Sequence, residues 1–451
     1  MSVFTVVFLK NLKIGDLSVK RIRLMVAKKR IKVLYVCPFA HYTGHFSWAA
    51  VHETQALVKA GAEVNLLTFS GVTDEGEVKV PQTTVRNKTK LGIPIYHLAN
   101  FLRRWKGIGF ISMFLEAFLT QSIAIRLKRE KGYDIIHLRD GEPFLFLPHL
   151  LSLTVKDYSW VVSMTGSNFI NNPLPPRALK QNLRLLLYAL YIRTINCNLW
   201  KPVYQKSLNK NRFIFLVQNE TIKQLSGLYT KSVLSGRVLC LPLGVNKIDK
   251  VISREEARRY FDFPQDEPIF LSFGFTHAGK DMETIFCALK DIPDAFLLHG
   301  GAEGIAADSP TLITLAGKYN MQDRTAIKGY YIREEEKPYY FFAADAIILS
   351  YTRQFLSTTS LLWQACRFGL PVIASDNGQL KELVGKYRPG LLFQAQDPDS
   401  LRQAVMRFIN LKPKEIEALK DNCRRFAHEF STEKWAQKCL EIYEKLLANR
   451  S

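Results

Sequence analysis

Apolar residues along this chain follow two alternating rhythms: short unbroken runs rich in β-branched residues, and longer stretches in which they return every three or four positions. The first rhythm predicts buried strands over 32–37, 63–69, 134–138, 160–164 and 213–217. The second predicts a helix over 46–60, closed by Gly61, and further helical stretches between the later strands. Such runs suit parallel strands covered on both faces. A strand is expected again around 237–245. Ser253, with Glu256 after it, then forms a capping box that opens a helix over 254–261. A second alternation follows, with strands over 269–274, 295–299, 346–350 and 372–374 and helices over 281–289 and 360–368. The pattern predicts an α/β protein of two doubly wound, Rossmann-like lobes facing a central cleft, and such folds bind ligands at the carboxyl ends of their strands. The expected divisions are a basic extension over 1–30, an N-terminal lobe over 31–243, a C-terminal lobe over 244–428 and a last helical segment over 429–451 that returns to the N-terminal lobe. Trp435, Cys439, Tyr443 and Leu446 form one stripe of that last segment, which is expected to pack across both lobes.

Composition adds bounds. The 451 residues exceed one ordinary core and suit two, with 47% hydrophobic and 23% charged residues. The apolar runs fall short of the roughly 20 residues needed to cross a bilayer. A short apolar patch over 3–9 leads into basic residues and not into a small-residue cleavage site. Seven scattered cysteines without a C-x-x-C spacing suggest a reducing cytoplasm and neither zinc nor a disulfide framework, with Cys37, Cys240 and Cys366 as core thiols.

Charge changes the picture more. The formal net charge is +21, and 159–219 holds no acid but includes Arg177, Lys180, Arg184, Arg193, Lys201, Lys206, Lys210 and Arg212 among leucines, tyrosines and Trp200. A stretch over 102–131 has the same character. This arrangement suits an anionic membrane surface and a peripheral place on the cytoplasmic face; buried helices with solvated basic ends are the plainer alternative. Nucleic acid is not expected, because no known recognition module is present.

Ordered fragments carry a likeness to a known family: Lys32-Val-Leu-Tyr-Val36, Gly61-Ala-Glu-Val64, Asp134-Ile-Ile-His137, Leu241-Pro-Leu-Gly-Val245, Gly274 with Lys280, Ala343-Ala-Asp345, Gly369-Leu-Pro-Val372, and Glu382-Leu-Val384 before Gly390. None is specific alone. In this order and spacing, from 32 to 447, the chain resembles GT-B glycosyltransferases of family 4 (glycosyl transferases group 1), which use nucleotide-diphospho-sugars. The resemblance implies a donor site in the C-terminal lobe. Gly274 would let backbone approach a phosphate, and Lys280 would meet the diphosphate as a point charge if it is not an ordinary surface lysine. Ser357, Thr358, Thr359 and Ser360 lead into a helix whose start can hold an anion or simply be capped by these hydroxyls. Gly301 and Gln364 complete the donor side. His299, at a strand end, either lines the donor or is a buried hydrogen-bonded histidine.

The chain also departs from the family. Phe275 stands where an arginine is usual, and Leu356 and Gln364 occupy the positions of a pair of glutamates. Gln364 keeps hydrogen-bonding capacity without a carboxylate. Thr165, ahead of Gly166, replaces a histidine. The departures fit a sub-branch associated with exopolysaccharide assembly, where a run like Ser350-Tyr351-Thr352-Arg353 and a hydroxyl-rich loop replace the glutamates. They fit equally a lobe that binds without transferring. The acceptor side would include Gly44, Thr165 and Gly166, with Asp140 (beside Glu142) and His45 as catalytic candidates. Turn capping before Gly141 is the alternative for Asp140, and simple packing for His45. No metal is implied, since no D-x-D-like acidic pair sits where a GT-A enzyme would need it, and no cofactor beyond the donor. The expected function is transfer of a hexose to a lipid-linked or growing glycan acceptor in cell-surface polysaccharide biosynthesis. The alternatives are a non-catalytic binding or scaffold subunit and, more remotely, a sugar-nucleotide epimerase.

Overall fold

Strand β1 (Lys32–Cys37) shows why the lobes form: Leu34 and Val36 enter one apolar core while Val33, Tyr35 and Cys37 enter another. Its side chains alternate between two faces, and both faces are covered. The computed structural model of the chain describes residues 30–42, 44–73, 77–85, 93–94, 97–98, 101, 109–139, 159–164, 213–224, 237–277, 279–303 and 308–448. The basic residues from Arg177 to Arg212, and Asp140, Glu142, Thr165 and Gly166, lie outside the described residues.

After β1 come α1 (His45–Lys59), β2 (Glu63–Thr68), β3 (Gln82–Thr84), α2 (Gly109–Lys131), β4 (Ile135–Arg139), β5 (Trp160–Met164), β6 (Phe213–Val217) and β7 (Val238–Cys240). They build a seven-stranded sheet in the order β3-β2-β1-β4-β5-β6-β7. All its pairs are parallel. The second lobe runs α3 (Arg254–Tyr260), β8 (Ile269–Phe273), α4 (Met282–Leu289), β9 (Phe296–Gly300), α5 (Ser309–Lys318), β10 (Thr325–Lys328), α6 (Lys337–Ala343), β11 (Ala346–Leu349), α7 (Leu361–Arg367), β12 (Val372–Ser375), α8 (Gly378–Tyr387), β13 (Gly390–Phe393), α9 (Pro398–Ile409), α10 (Pro413–Glu429) and α11 (Thr432–Ala448). Its six strands take the order β10-β9-β8-β11-β12-β13. In each sheet the order reverses once, between β1 and β4 and between β8 and β11. Crevices open at such switch points, beyond the carboxyl ends of the strands.

Local chemistry sets the helix starts. Ser253 Oγ accepts from Glu256 N at 3.1 Å ahead of α3, and Asp281 Oδ1 accepts from Thr284 N at 3.2 Å ahead of α4. Arg258 of α3 is buried, and its Nη2 meets Asp345 Oδ2 at 2.7 Å, joining α3 to the start of β11.

The C-terminal helices join the lobes. Phe426 of α10 packs on Trp363 of α7, with ring centroids 5.4 Å apart. The chain then returns, and Trp435, Ala436, Cys439, Tyr443 and Leu446 of α11 complete the core under the N-terminal sheet. His137 of β4 bridges Tyr443 Oη at 2.5 Å and Ser163 Oγ at 2.6 Å. The two crossings between lobes touch: Val245 N donates to Phe430 O at 2.9 Å and Thr432 N to Val245 O at 3.1 Å. A Cβ on Gly244 would lie 2.9 Å from Thr432 Cα, so the close approach requires glycine there.

Cys37 and Cys366 are buried. Cys240 corrects the expectation of a core thiol: it is half-buried, and burial, with Glu220 beside it, pushes its thiol up to about 12. Among the described residues no helix is long and apolar enough to cross a membrane.

Candidate functional site

Strand β8 ends in a run of apolar residues, and the chain turns at Gly274 with φ +84°, a left-handed conformation suited to glycine. Beyond the turn, Lys280 forms an isolated antiparallel bridge with Tyr351, which follows β11. Lys280 therefore sits at the switch point of the C-terminal sheet. Its Nζ donates to Phe273 O and, at 3.0 Å, to Gly274 O. A Cβ at Gly274 would stand 3.6 Å from Leu361 Cδ2 and 3.8 Å from Lys280 Nζ, so β8, α7 and the ammonium converge there. Burial pulls the Lys280 pKa down to about 7. Among the described residues no carboxylate forms an ion pair with it, and the positive charge is held by carbonyl dipoles alone.

The rings of His277, Tyr351 and Phe355 stack beside the lysine, with Tyr351 and Phe355 centroids 4.3 Å apart. Burial, and then Lys280, pulls His277 down to about 4. His299 is 1% exposed, and its Nδ1 meets Ser272 Oγ at 3.2 Å. Burial, and then Lys280, brings it down to about 3. It is a neutral, buried, hydrogen-bonded histidine between β8 and β9. At Gly301 a Cβ would lie 2.5 Å from Gly274 O. The β8 and β9 ends thus meet backbone to backbone, which alone requires glycine.

The hydroxyl segment divides. Thr359 is 6% exposed, and its Oγ1 meets Tyr351 Oη at 2.7 Å and accepts from Leu361 N at 3.3 Å. It is turned into the lobe. Thr358 Oγ1 instead accepts from Asn219 Nδ2 of the N-terminal lobe at 3.0 Å. Ser357 is half-buried. Ser360 precedes α7 with helical backbone angles and makes no side-chain capping bond, contrary to simple capping. Gln364 Oε1 accepts from Arg367 Nη1 at 3.5 Å, and the same Nη1 meets Glu334 Oε2 at 3.1 Å. Burial works to raise the Glu334 carboxyl, but Lys337 and Arg367 outweigh it and leave its pKa lowered. Leu356 is half-buried over the start of α8, where a Cβ on Gly378 would stand 3.4 Å from Leu356 Cα.

Across the cleft, a Cβ on Gly44 would stand 3.9 Å from Phe275 Cε2, whose ring is 44% exposed. His45 begins α1, and its side chain lies outside the described residues. Gln379 Nε2 of α8 donates to Gln218 O at 2.9 Å, a second contact between lobes. The structure thus brings Gly274, Lys280, Gly301 and the segment 357–360 to one end of the C-terminal sheet, with Gly44 opposite.

Sequence reasoning passed over a buried charged group below the N-terminal strand ends. Arg139 Nε meets Glu53 Oε1 at 3.3 Å, and Tyr35 Oη donates to Glu53 Oε2 at 2.5 Å. A small pocket opens there, lined by Glu53, Arg139, Ser163, Gln218, Leu243 and Trp435 among others. A signal existed: Glu53 shares the buried stripe of α1 with Ala49, Ala50 and Leu57, where an acid requires a partner.

Residues 253–427 match the family model described as Glycosyl transferases group 1. A probable sucrose-phosphate synthase 2 from Oryza sativa subsp. japonica is 24% identical over 207 residues, covering 42% of this chain and 21% of that protein. The chain thus spans only about a fifth of the length of such curated relatives. Among solved structures, a sucrose-phosphate synthase (tll1590) from Thermosynechococcus elongatus superposes with TM-score 0.70 at 20% identity, covering 93% of this chain and all (100%) of that one. Anabaena Alr3699/HepE in complex with UDP and glucose gives TM-score 0.63 at 13% identity, covering 92% and 100%. At these identities the likeness establishes the fold, with two parallel-sheet lobes arranged as in GT-B.

Proposed function

We propose that the protein is a glycosyltransferase that moves a hexose from a nucleotide-diphosphate-sugar to a lipid-linked or growing glycan at the cytoplasmic membrane face, a reading supported by the match of residues 253–427 to the group 1 glycosyl transferase model. The observation that carries this reading is the Lys280 ammonium, held against Gly274 at the switch point by two backbone carbonyls. A half-buried cation that meets only neutral carbonyls among the described residues gains from an anion, and leaving-group stabilisation at a diphosphate needs such a charge. The complex of the similar Anabaena protein with UDP and glucose supports this class of donor. The basic, apolar-interleaved stretch over 159–219 supports an acceptor at a membrane surface. Asp140 and His45 are the proposed catalytic groups, and Gly44, Thr165 and Gly166 the proposed acceptor-side residues.

Calorimetry with UDP-, ADP- and GDP-hexoses, followed by turnover with membrane extract, tests the reading. Binding of at least one donor and its consumption are expected. Failure to bind any of them would falsify the proposal.

A non-catalytic subunit is the second reading, favoured by the aliphatic Leu356 and by Gln364 being engaged with Arg367. Unchanged glycan production in cells carrying both Lys280→Ala and Asp140→Asn would select it.

A further inference from the structure

Asn219 lies just beyond the carboxyl end of β6 and is 2% exposed. Its amide has two neighbours, and one of them fixes its orientation. The backbone N–H of Ile222 can only donate, and it meets Oδ1 at 2.6 Å. Nδ2 must then be the atom facing Thr358 of the other lobe, 3.0 Å from its Oγ1. An amide nitrogen carries only hydrogens, so Thr358 Oγ1 is the acceptor. A threonine hydroxyl has one hydrogen and two lone pairs. With a lone pair taken by Asn219, the hydrogen points elsewhere, and among the described residues it meets no acceptor. Thr359 provides the contrast, since its hydroxyl is spent on Leu361 N and Tyr351 Oη inside the lobe. Leu361, at the start of α7, meanwhile packs at the Gly274 turn beside Lys280.

We infer that Asn219 is a positioning residue: it fixes the Thr358 hydroxyl as a hydrogen-bond donor toward the phosphates of a nucleoside diphosphate held at Gly274 and Lys280, and it does so only while the two lobes are together. The inference rests on the donor reading above. Gln379 and Gln218 make the companion contact, so two consecutive residues after β6 grip the donor side of the other lobe. Lobe approach and phosphate recognition therefore share a single hydrogen bond.

Asn219→Asp tests this with little change of shape. The carboxylate keeps an oxygen for Ile222 N, but its second oxygen takes the Thr358 hydrogen for itself. Calorimetry with UDP, ADP and GDP, and with the matching nucleosides as phosphate-free controls, is carried out on the unchanged protein, Asn219→Asp, Thr358→Val and the double variant. At about pH 8, Asn219→Asp is expected to weaken the bound diphosphate by about tenfold or more and to leave the nucleoside unaffected, as for loss of a hydrogen bond to a charged group. The deficit relative to the unchanged protein shrinks only below the introduced aspartic acid's own pKa, where the protonated side chain donates again. In the Thr358→Val background the substitution adds less than about twofold. Should Asn219→Asp fail to fold, Thr358→Ser retaining and Thr358→Val losing diphosphate affinity carries the same expectation.

Undiminished diphosphate binding by Asn219→Asp, equal losses for diphosphate and nucleoside, or the same loss in both backgrounds would overturn the inference and leave the donor reading intact. Equal diphosphate affinity of Thr358→Ser and Thr358→Val would do the same. An unchanged protein that binds none of the three diphosphates would overturn both.

Discussion

Lys280 is the residue at which the chemistry is sharpest. Its pKa is pulled to about 7 by burial, well below the unfolded value near 10.4. Between those values the unfolded chain binds the extra proton, so the stability of the ligand-free protein rises as pH climbs from about 7 to about 10. An anion beside the ammonium holds the proton on, and diphosphate affinity therefore falls over the alkaline part of that range. Lys280→Met is expected to abolish both trends and to weaken UDP binding by about tenfold or more; thermal melts and calorimetry across pH check this. The sequence pointed to Gly274 and Lys280 through their place among the fragments that carry the family resemblance, and the structure sets them together at the end of β8. Asn219 and Gln379 were not, because their partners lie 139 and 161 residues away. The pair Glu53 and Arg139 falls between these cases: each is a charge in an apolar stripe, but only the fold reveals that they neutralise one another.

At the scale of elements, legibility followed burial. All five residues of β4, β6 and β8 are buried, and these strands stood out as short, mostly apolar runs. β3, β10 and β13 lie at sheet edges and are mostly half-exposed, so no period marked them. The last helix was visible from its stripe and was expected to return to the N-terminal lobe; the stripe is seated in the core under that lobe's sheet. Its Tyr443 reaches His137, which burial, and then Arg139, pulls down to about 3. The histidine is thus neutral in the fold. The unfolded chain binds more protons between about pH 3 and 6.5, so this site costs stability as pH falls through that window. Tyr443→Phe keeps the ring and removes the hydroxyl from His137. Urea unfolding near neutral pH is expected to show a loss of about 1 kcal/mol, with nucleotide binding unaltered.

For the whole molecule, the largest quantity is the net charge of +21, much of it in the basic stretch over 159–219. If that stretch meets anionic lipid, each basic residue near the surface contributes about 1 kcal/mol, screened by salt. Replacing Arg177, Lys180 and Arg184 with glutamate should then release the protein from phosphatidylserine vesicles at low ionic strength. Cosedimentation equal to that of the unchanged protein would remove the membrane from the proposed role.

The two crossings between lobes, joined at Val245, Phe430 and Thr432, have a mechanical meaning. A single covalent link would let the lobes swivel freely, whereas two links bonded at one point behave as a pin joint that permits rotation and resists sliding. Asn219 and Thr358 would then return to the same alignment after each opening, as a latch does on a hung door. A chain cut after 428 would lose the pin as well as Trp435 and Tyr443 from the first core, and its halves would drift out of register before either half unfolded.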